Sequence, residues 1–544
     1  MSSMGFRQTN AWLHTWTGLL LGWLLYAVFF TGTLSFFREE LDFWLKPELH
    51  QSQPTPDTAT RAVAALQKLA PAAAQWQIDL PNERSPVVDV RFLQEGERPG
   101  RNAGQRMTLD AATLEPVSPR ETRAANFLYR FHFELYGMPR VPARWIIAVA
   151  TMLMLIAIVS GVITHKKIFK EFFTFRPRKG QRSWLDAHNA LAVLALPFHF
   201  MITYSGLLLF MYMLMPWGIE SAYQGDRQAF FAEGGGRGGG GGGAANAQSR
   251  GEGSGGRSRK AEIVATPLAD VTPMLAYANE QWPTGVAVIR VTNPGKSNAR
   301  IELQRNGGTS LIDRGAAARM QFDGVSGALL DAPPAREISG TSAVYNVLTS
   351  LHLIRFAGPA LRWVMFISGV LGTLMAATGL VLWVVKRLPA GRPAEHFGHR
   401  LVESLNVGTI AGLPLATAAC FWANRLLPVA LAERGTWEIR AFFIAWAICL
   451  IHPWLVAHRR AWRQQLAACA VLLALLPVYS FFDGGANLLS NLVNGRWLLA
   501  AADITILAFA LLLAVAWRRL GQQQQPTRAR SRAYIAPQTS QQSS

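Results

Sequence analysis

Residues 186–206 read DAHNALAVLALPFHFMITYSG. After Asp186 the stretch carries no formal charge, yet it holds His188 and His199 and closes on Ser205-Gly206. The apolar core continues over 189–214, and about 20 such residues cross a bilayer as a helix. Ionisable side chains inside a span are costly and mark function by default. The stretch therefore points to a membrane α-helical protein with histidine chemistry.

Seven further apolar cores lie outward from it, at 16–37, 144–164, 362–385, 402–422, 439–457, 464–482 and 497–517. The fold class expected is a membrane all-α helical bundle of about eight spans. Composition agrees: half of the 544 residues are hydrophobic, 16% are charged, and mean hydropathy is +0.16. The first core is too long for a cleavable signal peptide, and Arg38-Glu39-Glu40 follows it in place of a small-residue cleavage site. The net charge of +19 would point to nucleic acid in a soluble chain. Here much of the excess borders the apolar runs, so no nucleic-acid partner is expected, and membrane lipid is. Cys420, Cys449 and Cys469 sit in apolar runs and offer neither a disulfide framework nor a haem-attachment motif.

The short loops give an orientation. Loop 165–183 carries Lys166, Lys167, Lys170, Arg176, Arg178, Lys179 and Arg182, and loop 386–400 carries Lys386, Arg387, Arg392 and Arg400. Arg459, Arg460 and Arg463 follow the sixth core, and Arg518, Arg519, Arg528, Arg530 and Arg532 follow the eighth. With eight spans these fall on one side, which places both termini in the cytoplasm. The organisation expected is a first span within 1–37, an outside unit over 38–143, two spans joined by a basic loop over 144–214, and a second outside unit over 215–361. A fourth span at 362–388, a four-span extension at 389–519 and a disordered cytoplasmic tail at 520–544 complete it. Each outside unit opens with a helix-like stretch (59–70; 267–281) and continues with β-rich runs such as 87–92 and 286–291, so each is expected to be an α+β unit, periplasmic if the membrane is a bacterial inner membrane. Residues 234–256, with 13 Gly in 23 residues, read as a flexible linker.

The chain also repeats itself. His14 precedes Thr31-Gly32 by 18 residues to the glycine, and His188 precedes Ser205-Gly206 by the same 18. His132 precedes Ser160-Gly161 by 29 residues and His352 precedes Thr378-Gly379 by 27. The order span, outside unit, span thus occurs twice with His at matched places. Membrane haem is held by neutral imidazoles from different helices whose other ring N–H is fixed by an acceptor. The candidate cofactor and iron ligands are His14, His132, His188, His199 and His352, with His165 beside the basic loop as a sixth cofactor-binding candidate. On one straight helix His188 and His199 fall within about 20° of each other and about 16 Å apart in rise. The repeat pairs His14 with His188 and His132 with His352, whereas the helical face gives His199 to the outer centre. Proton relay in a transporter and plain interfacial His are the competing readings.

The phrases Trp12-Leu-His14-Thr-Trp-Thr-Gly18, Phe29-Phe-Thr-Gly32, Leu128-Tyr-Arg-Phe-His132, Leu348-Thr-Ser-Leu-His352 and Thr378-Gly379-Leu-Val-Leu-Trp383 resemble the PepSY-associated transmembrane family. That family includes iron-regulated membrane proteins and siderophore reductases of the bacterial inner membrane. The resemblance covers about 1–388 and implies that the outside units are PepSY-like. It also implies haem b and electron transfer across the membrane to a ferric siderophore or other ferric chelate, with two haems expected from the spacing of His188 and His199. The Gly-rich linker and the extension after 400 depart from the family's usual form. Arg130, Arg140, Arg144, Arg355 and Arg362 gather near the outer His, with Arg144 and Arg362 as candidates for haem propionates. No GxGxxG after a strand, P-loop or flavin signature is present, so a quinol or a separate cytoplasmic reductase is the expected electron donor. The other classes are an envelope regulatory or binding protein without redox activity and a proton-coupled transporter.

Overall fold

The computed structural model describes residues 5–97, 100, 103–165, 174–177, 179–226, 264–307, 310–312, 318–332, 340–388, 396–483 and 485–522. The Gly-rich linker, residues 166–173 and 178 of the first basic loop and the tail from 523 onward lie outside the described residues.

Among the described residues seven helices are long and apolar enough to cross a membrane, and an eighth span exists if one bent pair is counted as one. They are α1 (Phe6–Ser35), α5 (Arg140–Thr164), the bent pair α6 (Gln181–Leu194) and α7 (Leu196–Leu209), α10 (Pro359–Arg387), α11 (Phe397–Leu426), α12 (Arg434–Leu455), α13 (His458–Tyr479) and α14 (Trp497–Gln522). Between them stand α2 (Arg38–Trp44), α3 (Thr58–Leu69), α4 (Ala124–Phe131), α8 (Thr272–Gln281) and α9 (Gly340–Leu353). The chain is a multi-pass membrane protein, and every apolar core read from sequence coincides with one of these spans.

The third span departs from the straight helix expected of it. α6 and α7 meet at a bend of 66° around Ala195. Pro197 explains the break: it has no N–H to give the Val193 carbonyl, and its ring crowds that turn. The helix restarts where His199 N–H donates to Ala195 O at 2.8 Å. His188 and His199 therefore sit on different arms, and the shared-face argument for them fails.

Prolines elsewhere in the bundle free carbonyls that side chains then claim. Pro414 cannot bond the Ile410 carbonyl; the Tyr26 hydroxyl donates to it at 2.9 Å, next to a π-helical turn at Val407–Ala411. Pro453 frees the Cys449 carbonyl, which accepts from Gln465 Nε2 at 2.8 Å. In hydrocarbon an unsatisfied carbonyl has no water to turn to, so these replacements stabilise the broken ladders.

The two outside segments do not form two separate units. Each contributes one helix and four strands: β1 (Gln75–Asp79), β2 (Val88–Leu93), β3 (Gln105–Leu109) and β4 (Pro116–Val117), then β5 (Val286–Thr292), β6 (Arg300–Arg305), β7 (Arg319–Asp323) and β8 (Leu329–Asp331). All eight strands form one antiparallel sheet in the order β4-β3-β2-β1-β5-β6-β7-β8. The seam is β1 on β5, with Trp76 opposite Val291 and Ile78 opposite Ile289. Left apart, each half would end in an unpaired strand edge, and joining them removes both edges. α3 and α8 cover one face, where Ala62, Leu66, Met274 and Ala278 share one apolar core with Trp76, Ile78, Ile289 and Ile301.

Because the core is shared across the seam, Ile78→Ala or Ile289→Ala should cost about 2–5 kcal/mol. Either should raise amide exchange in strands of both halves together; exchange confined to the mutated half would mean two independent units.

Candidate functional site

Four histidines are built into the bundle in the same way. His14 of α1 places Nδ1 2.9 Å from Ala157 O on α5. His132, the residue that caps α4, places Nδ1 2.8 Å from Val28 O on α1. His188 of α6 reaches Met375 O on α10 at 3.0 Å, and His352 of α9 reaches Ile202 O on α7 at 3.0 Å. A carbonyl only accepts, so each Nδ1 carries the proton and donates. The free lone pair then lies on Nε2, the tautomer a metal needs.

The glycines of the repeat make this approach possible. Each accepting carbonyl lies four residues before one of them: Gly161, Gly32, Gly379 and Gly206 respectively. A Cβ on Gly32 would meet His132 Cε1 at 2.5 Å, and a Cβ on Gly161, Gly206 or Gly379 would meet the facing ring's Cε1 at 3.1 Å. The imidazole lies flat where a side chain would stand, and its N–H reaches the carbonyl one turn back. The Ser205 hydroxyl lies a further 3.2 Å from His352 Nδ1.

The halves then meet. The His14 and His188 rings stand 6.2 Å apart between centres, and the His132 and His352 rings 6.0 Å apart. Each pair takes one histidine from each half of the repeat. Along α1 the two levels, at His14 and at Gly32, are separated by about 27 Å of helical rise. Burial among the packed helices holds His132 below the ordinary imidazole value, and it holds His352 down to about 3, helped by the neighbouring His132. Both are neutral at pH 7, as ligands to a metal must be.

Two sequence candidates fall outside the pairs. His199 is buried against Phe29 and Phe198 with its Nε2 turned toward Gly372, where a Cβ would meet it at 3.1 Å. Its ring is thus reversed relative to the other four. His165 Nε2 accepts from Asn189 Nδ2 at 2.9 Å, which occupies the lone pair a metal would use. The arginines are also engaged. Arg144 donates to Glu134 through Nε at 3.0 Å and to the Tyr212 hydroxyl at 2.8 Å. Arg130 and Arg140 share that carboxylate, and Arg362 donates to Glu40 at 2.8 Å. Arg355 is exposed. Glu134 and the four accepting carbonyls escaped the sequence reading. The glycine four residues on was the available signal for the carbonyls.

The family model for the PepSY-associated TM region matches residues 11–386, which take in all six histidines and the four cradle glycines. The chain belongs to this family. α11 to α14 lie beyond the match. An uncharacterized protein of Pseudomonas aeruginosa is 26% identical over 413 residues, covering 72% of this chain and 94% of the relative.

Gly32→Ala should force His132 off its carbonyl and destabilise the purified protein by about 1–3 kcal/mol. Gly18→Ala, with nothing within 4 Å of its Cβ position, should be neutral or slightly stabilising. Thermal unfolding in detergent distinguishes the two; equal effects would show that the cradle does not constrain the ring.

Proposed function

We propose that this chain is a haem b electron conduit of the bacterial inner membrane that reduces ferric chelates, siderophore-bound Fe(III) among them, on the side of the sheet. The observation that carries the reading is the pair of facing imidazoles at each end of the bundle. A metal shared between the two imidazole nitrogens of a pair would need ring centres about 6 Å apart. Both pairs stand at that separation. Among the described residues no group of three or more His, Cys, Asp or Glu could hold a bare metal ion. Two imidazoles leave such an ion under-coordinated, whereas a macrocycle brings the remaining four nitrogens itself. The donor set, the fixed tautomer and the side-chain-free surface beside each ring all fit haem.

His14 and His188 would hold one haem, and His132 and His352 the other. When bound, haem supplies one-electron cycling of iron at a potential set by axial ligands and burial. The chain's own work is geometric. The four carbonyls orient the rings, the packed helices exclude water, and the two levels on α1 divide the roughly 30 Å of hydrocarbon. With the His14 end cytoplasmic, as the basic loops indicate, His14 and His188 would face the electron donor, a quinol or a cytoplasmic reductase. His132 and His352 would face the acceptor, beneath the periplasmic sheet. Each Fe(III) chelate takes one electron, and Fe(II) is then held less tightly by hard oxygen ligands.

Purified protein should show a sharp reduced α-band of b type at about two haems per chain, and oxidation of the reduced protein by ferric siderophore should follow. His132→Ala or His352→Ala should remove one haem and leave the other. His199→Phe should leave both. A colourless protein from haem-replete cells would overturn the reading in favour of envelope regulation or transport.

A further inference from the structure

The extension from α11 to α14 lies outside the family match, and its contacts give it a task. Glu438 of α12 is completely buried, and its carboxylate receives four donors. Two come from the extension: Asn424 Nδ2 at 2.8 Å and Arg434 Nη1 at 2.8 Å, both to Oε1. The other two come from the segment entering α4: the Thr122 hydroxyl at 2.8 Å and the Arg123 backbone N–H at 2.9 Å, both to Oε2. Arg123 is the N-cap residue of α4, whose own side chain makes no capping hydrogen bond. The Glu438 carboxylate instead accepts the N-cap residue's own N–H and stands at the start of the helix, where the dipole favours negative charge.

The same helix also packs on the rest of α4, beside α1 and α2. Phe127 packs edge-on against Phe442 at 4.9 Å between ring centres and against Phe443 at 5.7 Å, and Phe131 meets Trp446 at 6.1 Å. Arg434, also fully buried, donates to the Glu121 carbonyl at 2.9 Å. α4 has eight residues, about 12 Å of helix, and His132 follows directly at its C-cap. The helix is too short to be stable alone in water or lipid. α4 packs on α1 as its repeat counterpart α9 packs on α7, and the grip of the extension comes in addition.

We infer that the extension is a positioning module for the outer histidine pair, and that Glu438 is its positioning residue. Through Thr122 and Arg123 it fixes the start of α4, and through α4 it sets where His132 meets Gly32 and His352. The inner pair, His14 with His188, does not depend on this link. Where the outcome is a haem count, the inference rests on the proposed haem conduit; where it is order in α4, it stands alone.

The test uses full-length protein in detergent with Glu438→Ala and Glu438→Gln. Glu438→Ala should halve the haem content, keep the spectrum and potential of the centre that needs His14 and His188, and speed amide exchange over 124–131 roughly tenfold while 140–164 is unchanged. Glu438→Gln keeps an acceptor for the Arg123 N–H and should retain both haems with the potential of the outer one displaced. Two unshifted haems in Glu438→Ala with unchanged exchange over 124–131 would overturn the inference. Loss of both haems with faster exchange throughout, in both variants, would overturn it too, because Glu438 would then serve general stability. A wild-type protein without haem would sink the conduit and leave the exchange comparison to decide the role of Glu438.

Discussion

The contact on which the bundle depends is an imidazole N–H donated across a glycine to the carbonyl one turn behind it. Made four times, it accounts for the glycines, for the tautomer of each ring and for the close approach of helices in each half. A buried imidazole without a partner for its N–H would carry a desolvation penalty of about 1–3 kcal/mol. Here the carbonyl removes that penalty and leaves the second nitrogen available. The same bond that stabilises the packing thus leaves Nε2 of each ring unprotonated.

Each half of the repeat uses this contact internally, and each ring pair forms between halves. α1 gives His14 to α5 and receives His132 from the end of α4; in the second half α6 gives His188 to α10, and α7 receives His352 from α9. The sheet repeats the logic outside the bundle, since β1 and β5 pair across the halves. Neither half can complete a ring pair or cover its strand edge by itself. The architecture is therefore cooperative between halves at three levels: the sheet seam and the two histidine pairs.

The extension is asymmetric. It holds the first half at its membrane edge, where Trp44 donates to Asp503 at 2.9 Å and Arg425 stacks on Trp44 while pairing with Asp483 at 3.0 Å. Arg120 joins Glu48 and Asp483 in the same buried group. Breaking one member would leave charges buried without partners, which costs far more than such a network gains over apolar packing. A group of this kind specifies one docking geometry.

The sequence by itself determined the spans, the twofold repeat and the four histidines that the fold brings together in pairs, because hydrophobic length, charge at span ends and His-to-glycine spacing are all local features. It also marked the strands at 88–93 and 286–292, through their β-branched runs. Tertiary structure alone decided the rest. The break at Pro197 separated His188 from His199, because a straight-helix projection assumes a ladder that proline interrupts. The two outside segments became one sheet, because edge pairing is a long-range choice that no local pattern encodes. Asn189 took the lone pair of His165, and Glu438 reached a helix more than 300 residues earlier in the chain. Each of these depends on a partner distant in sequence, and only the folded chain brings the partners within hydrogen-bonding distance.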